Sequence, residues 1–173
     1  MMFLLLVLRL VHVVAGILWG GAAISYLFFV KPSVKSIGPS GPQFMQSLTT
    51  RRKYPTFMMT TSLLTVLSGG VLYWLSSGGL NLNWVQTGPG LGFTLGSLAS
   101  LVAFFVGGFG IGPTAEKMGA IGGQIAASGT GPTPEQLNLL QVLERRLARV
   151  EWIDFVMLVI AMVTMATARY WFF

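Results

Sequence analysis

The chain has 173 residues, of which 53% are hydrophobic and 9% are charged, and its mean hydropathy is +0.71. An average soluble domain carries roughly 25% charged residues, so 11 basic and 5 acidic side chains are too few to cover a water-exposed surface of this size. The composition excludes a soluble globular enzyme, a disordered chain and, despite the net charge of +6, a nucleic-acid-binding module. The absence of cysteine excludes disulfides, thiolate metal sites and covalently attached haem, and a single histidine excludes a multi-histidine metal site within one chain.

Four apolar stretches are each long enough to cross the roughly 30 Å hydrocarbon core of a bilayer as a helix. In chain order they run from about Phe3 to Val30, Thr56 to Leu75, Leu91 to Ile111 and Trp152 to Trp171. The first stretch is too long for a secretory signal peptide and no small-residue cleavage site follows it, which favours a retained helix. The sequence therefore predicts an all-α fold: a polytopic four-helix membrane bundle in the lipid bilayer, forming one integral membrane domain over residues 1–173.

Basic residues are confined to alternate loops of this predicted bundle. Five lie between Lys31 and Pro55 and four lie between Pro113 and Glu151, whereas the loop from Ser76 to Gly90 carries no charge. By the positive-inside rule the two basic loops are cytoplasmic, which places both termini outside. We therefore expect a multi-pass protein of the bacterial inner (cytoplasmic) membrane, N-out and C-out.

A helix start is predicted just before the fourth span. Thr133 is placed as the N-cap, Pro134 occupies the first helical position, and Gln136 completes a capping box. Leucines then recur at helical spacing and lead without a break into the span. A helix from Thr133 to Tyr170 would be about 57 Å long at 1.5 Å per residue, so residues 133–151 are expected to extend beyond the membrane on its cytoplasmic side. This extension either packs on a neighbouring segment or serves lipid-surface or partner contacts.

His12 is the candidate for cofactor chemistry, because it is the one histidine and lies about a third of the way into the first span. An ionisable group at that depth is expected to face protein rather than lipid. Helical spacing places Arg9, Gly16, Trp19 and Gly20 on the same broad face, where the glycines leave a groove for a neighbouring helix or a flat ligand. An imidazole beside such a groove suits axial ligation of the iron of a membrane haem, with Arg9 placed to pair a propionate.

Other roles for His12 fit the same pattern. The side chain would also serve as a structural group that hydrogen-bonds a Ser, a Thr or a backbone carbonyl while the glycines pack helices, or as a copper-binding or proton-handling residue. For haem, one histidine supplies one axial ligand. The second ligand would come from His12 of a second copy in a homodimer, from a histidine of another subunit, or from Met162 or Met165 on the fourth span.

The motif His12-x6-Trp19-x-Gly21, followed by an aromatic stretch and Pro32, resembles the first helix of the CopD-like four-helix integral membrane proteins, a group that includes bacterial families of unknown function. The second and third spans are similar in style. The His and Trp pattern also resembles the HemJ-type protoporphyrinogen oxidases, which are membrane proteins that bind haem b. That resemblance implies haem b as the cofactor and His12 as its ligand.

The chain departs from both groups in ways that limit what is carried over. HemJ-type proteins have an intramembrane lysine, whereas the third span has no charged residue, so the resemblance does not extend to their enzymatic activity. CopD-type copper handling uses His and Met ligands. Met58 and Met59 lie at the opposite end of the second span, roughly 15 Å or more in depth from His12. One chain is therefore not expected to build a copper site from these residues.

Two further features invite chemical interpretations. Glu151 and Asp154 are spaced i, i+3 on the fourth span and would form a proton-loading or cation-binding pair. We favour instead that they are neutralised by Arg51, Arg52 or Lys53, which precede the second span. The glycine-rich segment from Gly107 to Gly112 is expected to end the third membrane helix. It follows no strand, so a phosphate-binding loop is rejected.

The preferred functional expectation is a haem b-associated membrane protein that works in electron transfer or haem handling through His12. The alternative is a non-catalytic accessory subunit of a larger respiratory or photosynthetic membrane complex, docked through the extension at residues 133–151. Transport of a metal or a small solute is less favoured, because His12 is the one ionisable residue placed clearly inside the hydrocarbon. The sequence does not indicate whether any reaction is catalysed.

Overall fold

The computed structural model describes residues 2–172, which are helical apart from short connections and contain no strand. Six helices are distinguished here, and their bounds in chain order are α1 (Met2–Ser36), α2 (Gly41–Gln46), α3 (Tyr54–Ser76), α4 (Leu82–Val85), α5 (Gly88–Ser128) and α6 (Pro134–Tyr170). The helices α1, α3, α5 and α6 are each long and apolar enough to cross a membrane. The predicted all-α fold with four candidate spans is confirmed to this extent.

Large apolar side chains point outward along all four long helices. Phe3, Leu67, Phe109 and Val163 are each more than half exposed, whereas the buried positions of α5 between Gly88 and Phe105 are all glycine or alanine. Small residues at helix contacts and large apolar residues on the outer surface are typical of helices packed within lipid. The distribution therefore supports a multi-pass membrane protein.

The long helices pack mainly as two pairs, α1 with α3 and α5 with α6. Within the first pair, the hydroxyl of Tyr54, at the start of α3, donates to the carbonyl of Ala22 across 2.9 Å, whereas Gly69, further along α3, lies against the earlier residue His12 of α1. Within the second pair, Gly92 lies against Ala168. Both pairs are thus antiparallel.

A small buried cluster joins the two pairs. Trp19 of α1 packs with Ala103 of α5 and Leu158 of α6, and all three are buried. Trp19 contributes the one large ring of this cluster. Two cavities, each lined by residues of all four long helices, also lie between these pairs.

Two of the long helices contain a wider, π-helical stretch followed by proline. In α1 the stretch is Tyr26–Val30 and the proline is Pro32; in α5 the stretch is Val106–Ile111 and the proline is Pro113. Proline cannot donate to the preceding turn and crowds the carbonyl four residues earlier, and a locally widened turn accommodates both effects. Both helices therefore continue past their prolines.

This continuation corrects the expected end of one helix. The third span was expected to end at Ile111, with the glycine-rich segment ending the helix, but α5 continues as a 17-residue segment, Gly112–Ser128. The first helix also continues past the predicted span end at Val30, to Ser36. In both cases the π-helical stretch ahead of the proline permits the helix to continue.

The predicted helix start at Thr133 is confirmed. The Thr133 hydroxyl accepts a hydrogen bond from the backbone N–H of Gln136 at 3.2 Å, and the Gln136 side chain accepts from the backbone N–H of Thr133 at 3.0 Å. From Pro134 the helix runs 37 residues without a break to Tyr170, which is about 55 Å at 1.5 Å per residue. Its first half contacts the end of α5, so the neighbour on which the extension packs belongs to the same chain.

Candidate functional site

His12 faces α3 and is held by a backbone hydrogen bond. Its Nδ1 lies 2.9 Å from the carbonyl oxygen of Thr65. Because a carbonyl oxygen only accepts, Nδ1 must carry the proton, and in the neutral ring Nε2 then presents a lone pair. The geometry fixes the tautomer that a ligating histidine needs, and it also satisfies the structural role considered for this residue.

Gly69 is the residue that lets the ring approach α3 this closely. A Cβ atom at this position would lie 2.7 Å from Cε1 and 2.9 Å from Nδ1 of His12. Atoms separated by less than about 3 Å without a hydrogen bond repel strongly. A glycine on α3 is therefore required for the Thr65 contact, and no local sequence pattern assigns this role to Gly69.

The other residues of the predicted His12 face are divided between two neighbouring helices. Gly16 faces Thr65 of α3, where an added Cβ atom would lie 3.7 Å from the Thr65 methyl group. Gly20 faces Met162 of α6, where an added Cβ atom would lie 3.2 Å from the Met162 sulfur. Trp19 is buried in the cluster with α5 and α6. A helix face about 100° wide contacts two partners in a four-helix bundle. The residues expected to form one continuous groove therefore take part in two separate helix contacts.

Arg9 lies one turn before His12 and is exposed. It forms no ion pair with any residue that the structure describes. Arg9 is also not among the residues that line the cavity beside His12.

A cavity of about 310 Å³, here called the His12 cavity, lies beside the histidine. It is bounded by four helices, and the residues that matter for a ligand are His12, Gly69, Gly70, Tyr73, Ser97 and Met165. Met165 was one of the two methionines expected to reach the depth of His12, and it lines the same cavity. The second, Met162, faces Gly20 instead.

Glu151 and Asp154 are both buried on α6, at 5% and 6% exposure. Glu151 forms an ion pair with Lys31, the only ion pair between residues 2 and 172. The expected neutralisation by Arg51, Arg52 or Lys53 is therefore wrong for Glu151. The physical reason is the continuation of α1 past Val30, which carries Lys31 along the helix to the level of Glu151.

Asp154 has no hydrogen-bond or ion-pair partner within residues 2–172 and lines a second, larger cavity of about 620 Å³, here called the Asp154 cavity. Five aromatic side chains line it, namely Trp19, Tyr26, Tyr54, Phe104 and Phe155. These rings come from four helices, so no local sequence pattern groups them with the acids. The available sequence signal for this grouping was that Tyr26 and Lys31 lie close together on one helix. Both residues lie near the buried acids.

No group of three or more His, Asp or Glu side chains close enough to hold a metal ion occurs in the described part of the chain. No family model, curated protein or solved structure matches the sequence. The resemblance to CopD-like and HemJ-type proteins stays a prediction from the first-helix motif.

Proposed function

We propose that the protein is a haem b-associated integral membrane protein in electron transfer or haem handling, with His12 as an axial ligand of the iron. The observation that supports this most directly is the hydrogen bond from Nδ1 of His12 to the Thr65 carbonyl at 2.9 Å. Histidine ligands usually donate their second ring N–H to a carbonyl or carboxylate, which orients the ring and leaves the other nitrogen for the metal. Thr65 supplies that partner here.

The residues of the His12 cavity fit an iron porphyrin by their donor chemistry. An imidazole and the thioether of Met165 line one space, and His/Met is an established axial pair for haem iron. Gly69 and Gly70 add no side-chain bulk. Because the cavity of about 310 Å³ is smaller than a whole macrocycle, haem would have to be bound partly outside it.

The chain's own residues have separate tasks in this proposal. When bound, haem supplies one-electron chemistry. His12 would bind the iron and orient the haem. The Thr65 carbonyl fixes the tautomer of His12, and Leu98 and Leu101 exclude water from the cavity. Arg9 is free to pair an anionic edge group near the surface. A homodimer in contact through α1 would offer a second His12 in place of Met165.

The proposed orientation follows from charge. With the basic segments between Lys31 and Pro55 and between Pro113 and Glu151 in the cytoplasm, both termini lie outside and the His12 cavity lies in the outer half of the bilayer. We propose the bacterial inner membrane as the location. Reporter fusions at the two termini and within residues 77–87 would test this orientation, and a cytoplasmic signal from either terminus would refute it.

The decisive experiment is an absorption spectrum of the protein purified in mild detergent from cells supplied with a haem precursor, both oxidised and reduced. We expect a Soret band that His12→Ala abolishes. Met165→Leu should keep haem but change the spectrum if Met165 is the second ligand. The matched control is Met162→Leu, because Met162 faces Gly20 and does not line the cavity. A wild-type protein without a Soret band, or a His12→Ala spectrum equal to wild type, would refute the proposal.

The alternative proposal, a non-catalytic accessory subunit, is supported by the extension at the start of α6. Leu139 and Val142 are exposed there, at 38% and 56%, and share one face by their i, i+3 spacing, on a helix about 55 Å long that exceeds the membrane thickness. An exposed apolar patch outside the bilayer favours a protein partner. Co-migration with a large complex after gentle detergent extraction, lost on Val142→Glu and without any bound cofactor, would favour this alternative.

A further inference from the structure

We infer that the Asp154 cavity is a binding site for a monovalent organic cation with an apolar body, such as a hydrophobic amine or a quaternary onium ion, and that Asp154 is its counter-ion. The site is separate from the His12 cavity and shares none of its lining residues. It therefore goes beyond the haem proposal and does not depend on it.

The charge distribution around the cavity favours a cationic ligand. Glu151 is neutralised by Lys31 through the ion pair that joins α6 to α1. Asp154 is only 6% exposed and has no hydrogen-bond or ion-pair partner within residues 2–172. No lysine or arginine of the described residues lines the cavity. A buried carboxylate without a counter-charge is costly in a bilayer, so a cation bound in the cavity would stabilise the ionised form of Asp154.

Space is left directly in front of this carboxylate. A Cβ atom at Gly107 would lie 4.0 Å from Oδ1 of Asp154, and a Cβ atom at Gly108 would meet nothing within 4 Å. Both glycines lie on the π-helical stretch Val106–Ile111 of α5 and both line the cavity. Two adjacent glycines thus keep side chains out of the volume that Asp154 faces.

The walls select the chemical class of the ligand. Trp19, Tyr26 and Tyr54 present aromatic surfaces, and the last two rings stack with centroids 5.8 Å apart. Aromatic faces bind alkylated ammonium groups through cation–π attraction. A bare hard cation such as Ca²⁺ instead requires 6 to 8 oxygen ligands, which these mainly apolar walls do not provide. An organic cation therefore fits better than an inorganic one.

The size and construction of the cavity fit a ligand of this kind. Its volume of about 620 Å³ falls within the roughly 300–1,000 Å³ typical of pockets for drug-sized molecules. All three π-helical stretches in the described residues contribute to its lining, through Tyr26 on Tyr26–Val30, Thr49 on Ser47–Arg51 and Gly107 on Val106–Ile111. Such stretches occur frequently at functional sites.

Glu116 gives the cavity an entrance of the matching charge. It is exposed on α5 and lines the same cavity as the buried Asp154. A second carboxylate at the exposed end of an apolar pocket raises the local concentration of cations. A cationic ligand thus meets negative charge both at the entrance and inside the pocket.

The test is equilibrium binding of radiolabelled tetraphenylphosphonium to the purified full-length protein in mild detergent. We expect one saturable site per chain, weakened about tenfold or more by Asp154→Asn, because this change removes one partner of a desolvated charge pair. Asp154→Glu keeps the charge and should retain most of the binding. Glu144→Gln is the matched control, since Glu144 is exposed on the same helix and does not line the cavity.

A second variant keeps the proposal testable if Asp154→Asn fails to fold. Gly108→Leu keeps every charge, meets no atom within 4 Å at its Cβ, and should weaken binding by filling the cavity. His12→Ala should bind like wild type, which separates this proposal from the haem proposal. Absence of saturable binding to the wild type, or unchanged binding in folded, monodisperse Asp154→Asn and Gly108→Leu proteins, would overturn the inference.

Discussion

Replacing Gly69 with alanine should displace the His12 ring. The added methyl carbon would lie 2.7 Å from Cε1 and 2.9 Å from Nδ1, and the three nearest atoms to it all belong to His12. Carbon atoms prefer to be separated by about 3.5–4.0 Å, so the imidazole must rotate or shift. Its Nδ1 then loses the 2.9 Å hydrogen bond to the Thr65 carbonyl. Gly70→Ala is the matched control, because a Cβ atom there meets nothing within 4 Å.

The size of the effect follows from two opposing contributions to the free energy of unfolding. Alanine stabilises a helix over glycine by about 1 kcal/mol at either position. Leaving a hydrogen-bonding group unpaired in a buried site costs about 1–3 kcal/mol, and this applies to Gly69→Ala only. The helix contribution cancels when the variants are compared, so Gly69→Ala should be less stable than Gly70→Ala by about 1–3 kcal/mol.

The assay is denaturant-induced unfolding in mild detergent, followed by circular dichroism, with each glycine variant in both the native and the His12→Ala background. Without the imidazole, Gly69→Ala has no ring to displace, and its difference from Gly70→Ala should disappear. Equal stability of the two glycine variants in the native background, or a coupling energy between His12 and Gly69 below about 0.5 kcal/mol, would refute the reasoning.

Two further predictions concern helix contacts. Lys31→Met leaves Glu151 buried without a cation, which lowers the free energy of unfolding by roughly 3–5 kcal/mol at full burial and by less here because Lys31 is 32% exposed. Denaturant unfolding of the double variant Lys31→Met/Glu151→Gln should show that most of this loss is recovered. A double variant no more stable than Lys31→Met alone would contradict the prediction. A Cβ atom at Gly92 would lie 2.9 Å from the Cα atom of Ala168. Gly92→Ala must therefore separate α5 from α6 and destabilise the folded protein by about 1–3 kcal/mol. Gly119→Ala has open space around it and should not lower the unfolding midpoint.

The elements predicted well from the sequence are those determined by local signals. A long apolar run identifies a candidate span wherever it occurs, because the length requirement is set by the bilayer. The helix start at Thr133 was predictable for the same reason, since the capping box is formed entirely by Thr133 and Gln136. Neither prediction requires knowledge of which helices are neighbours.

The contacts between helices were predictable in kind but not in partner. His12 was expected to find haem, a metal, a hydroxyl or a carbonyl, and the carbonyl of Thr65 lies 53 residues further along the chain. Glu151 was expected to be paired, but its cation is Lys31, 120 residues earlier, rather than a member of the Arg51–Lys53 cluster. Which residues meet across two helices depends on their relative rotation and height, and these are set by packing of the whole bundle.

The π-helical stretches have a consequence for the length of the chain. Adding one residue to a regular α-helix turns everything after it by about 100°, but a widened turn absorbs the extra residue and leaves the following side chains facing as before. Val106–Ile111 is such a turn. Deletion of a single residue inside it should therefore be tolerated, with Ile121 still directed inward, whereas the same deletion a few positions away would rotate Ile121 out of its buried site. The family of sequences that can form this bundle thus includes chains of slightly different lengths, provided that the change falls within one of these turns.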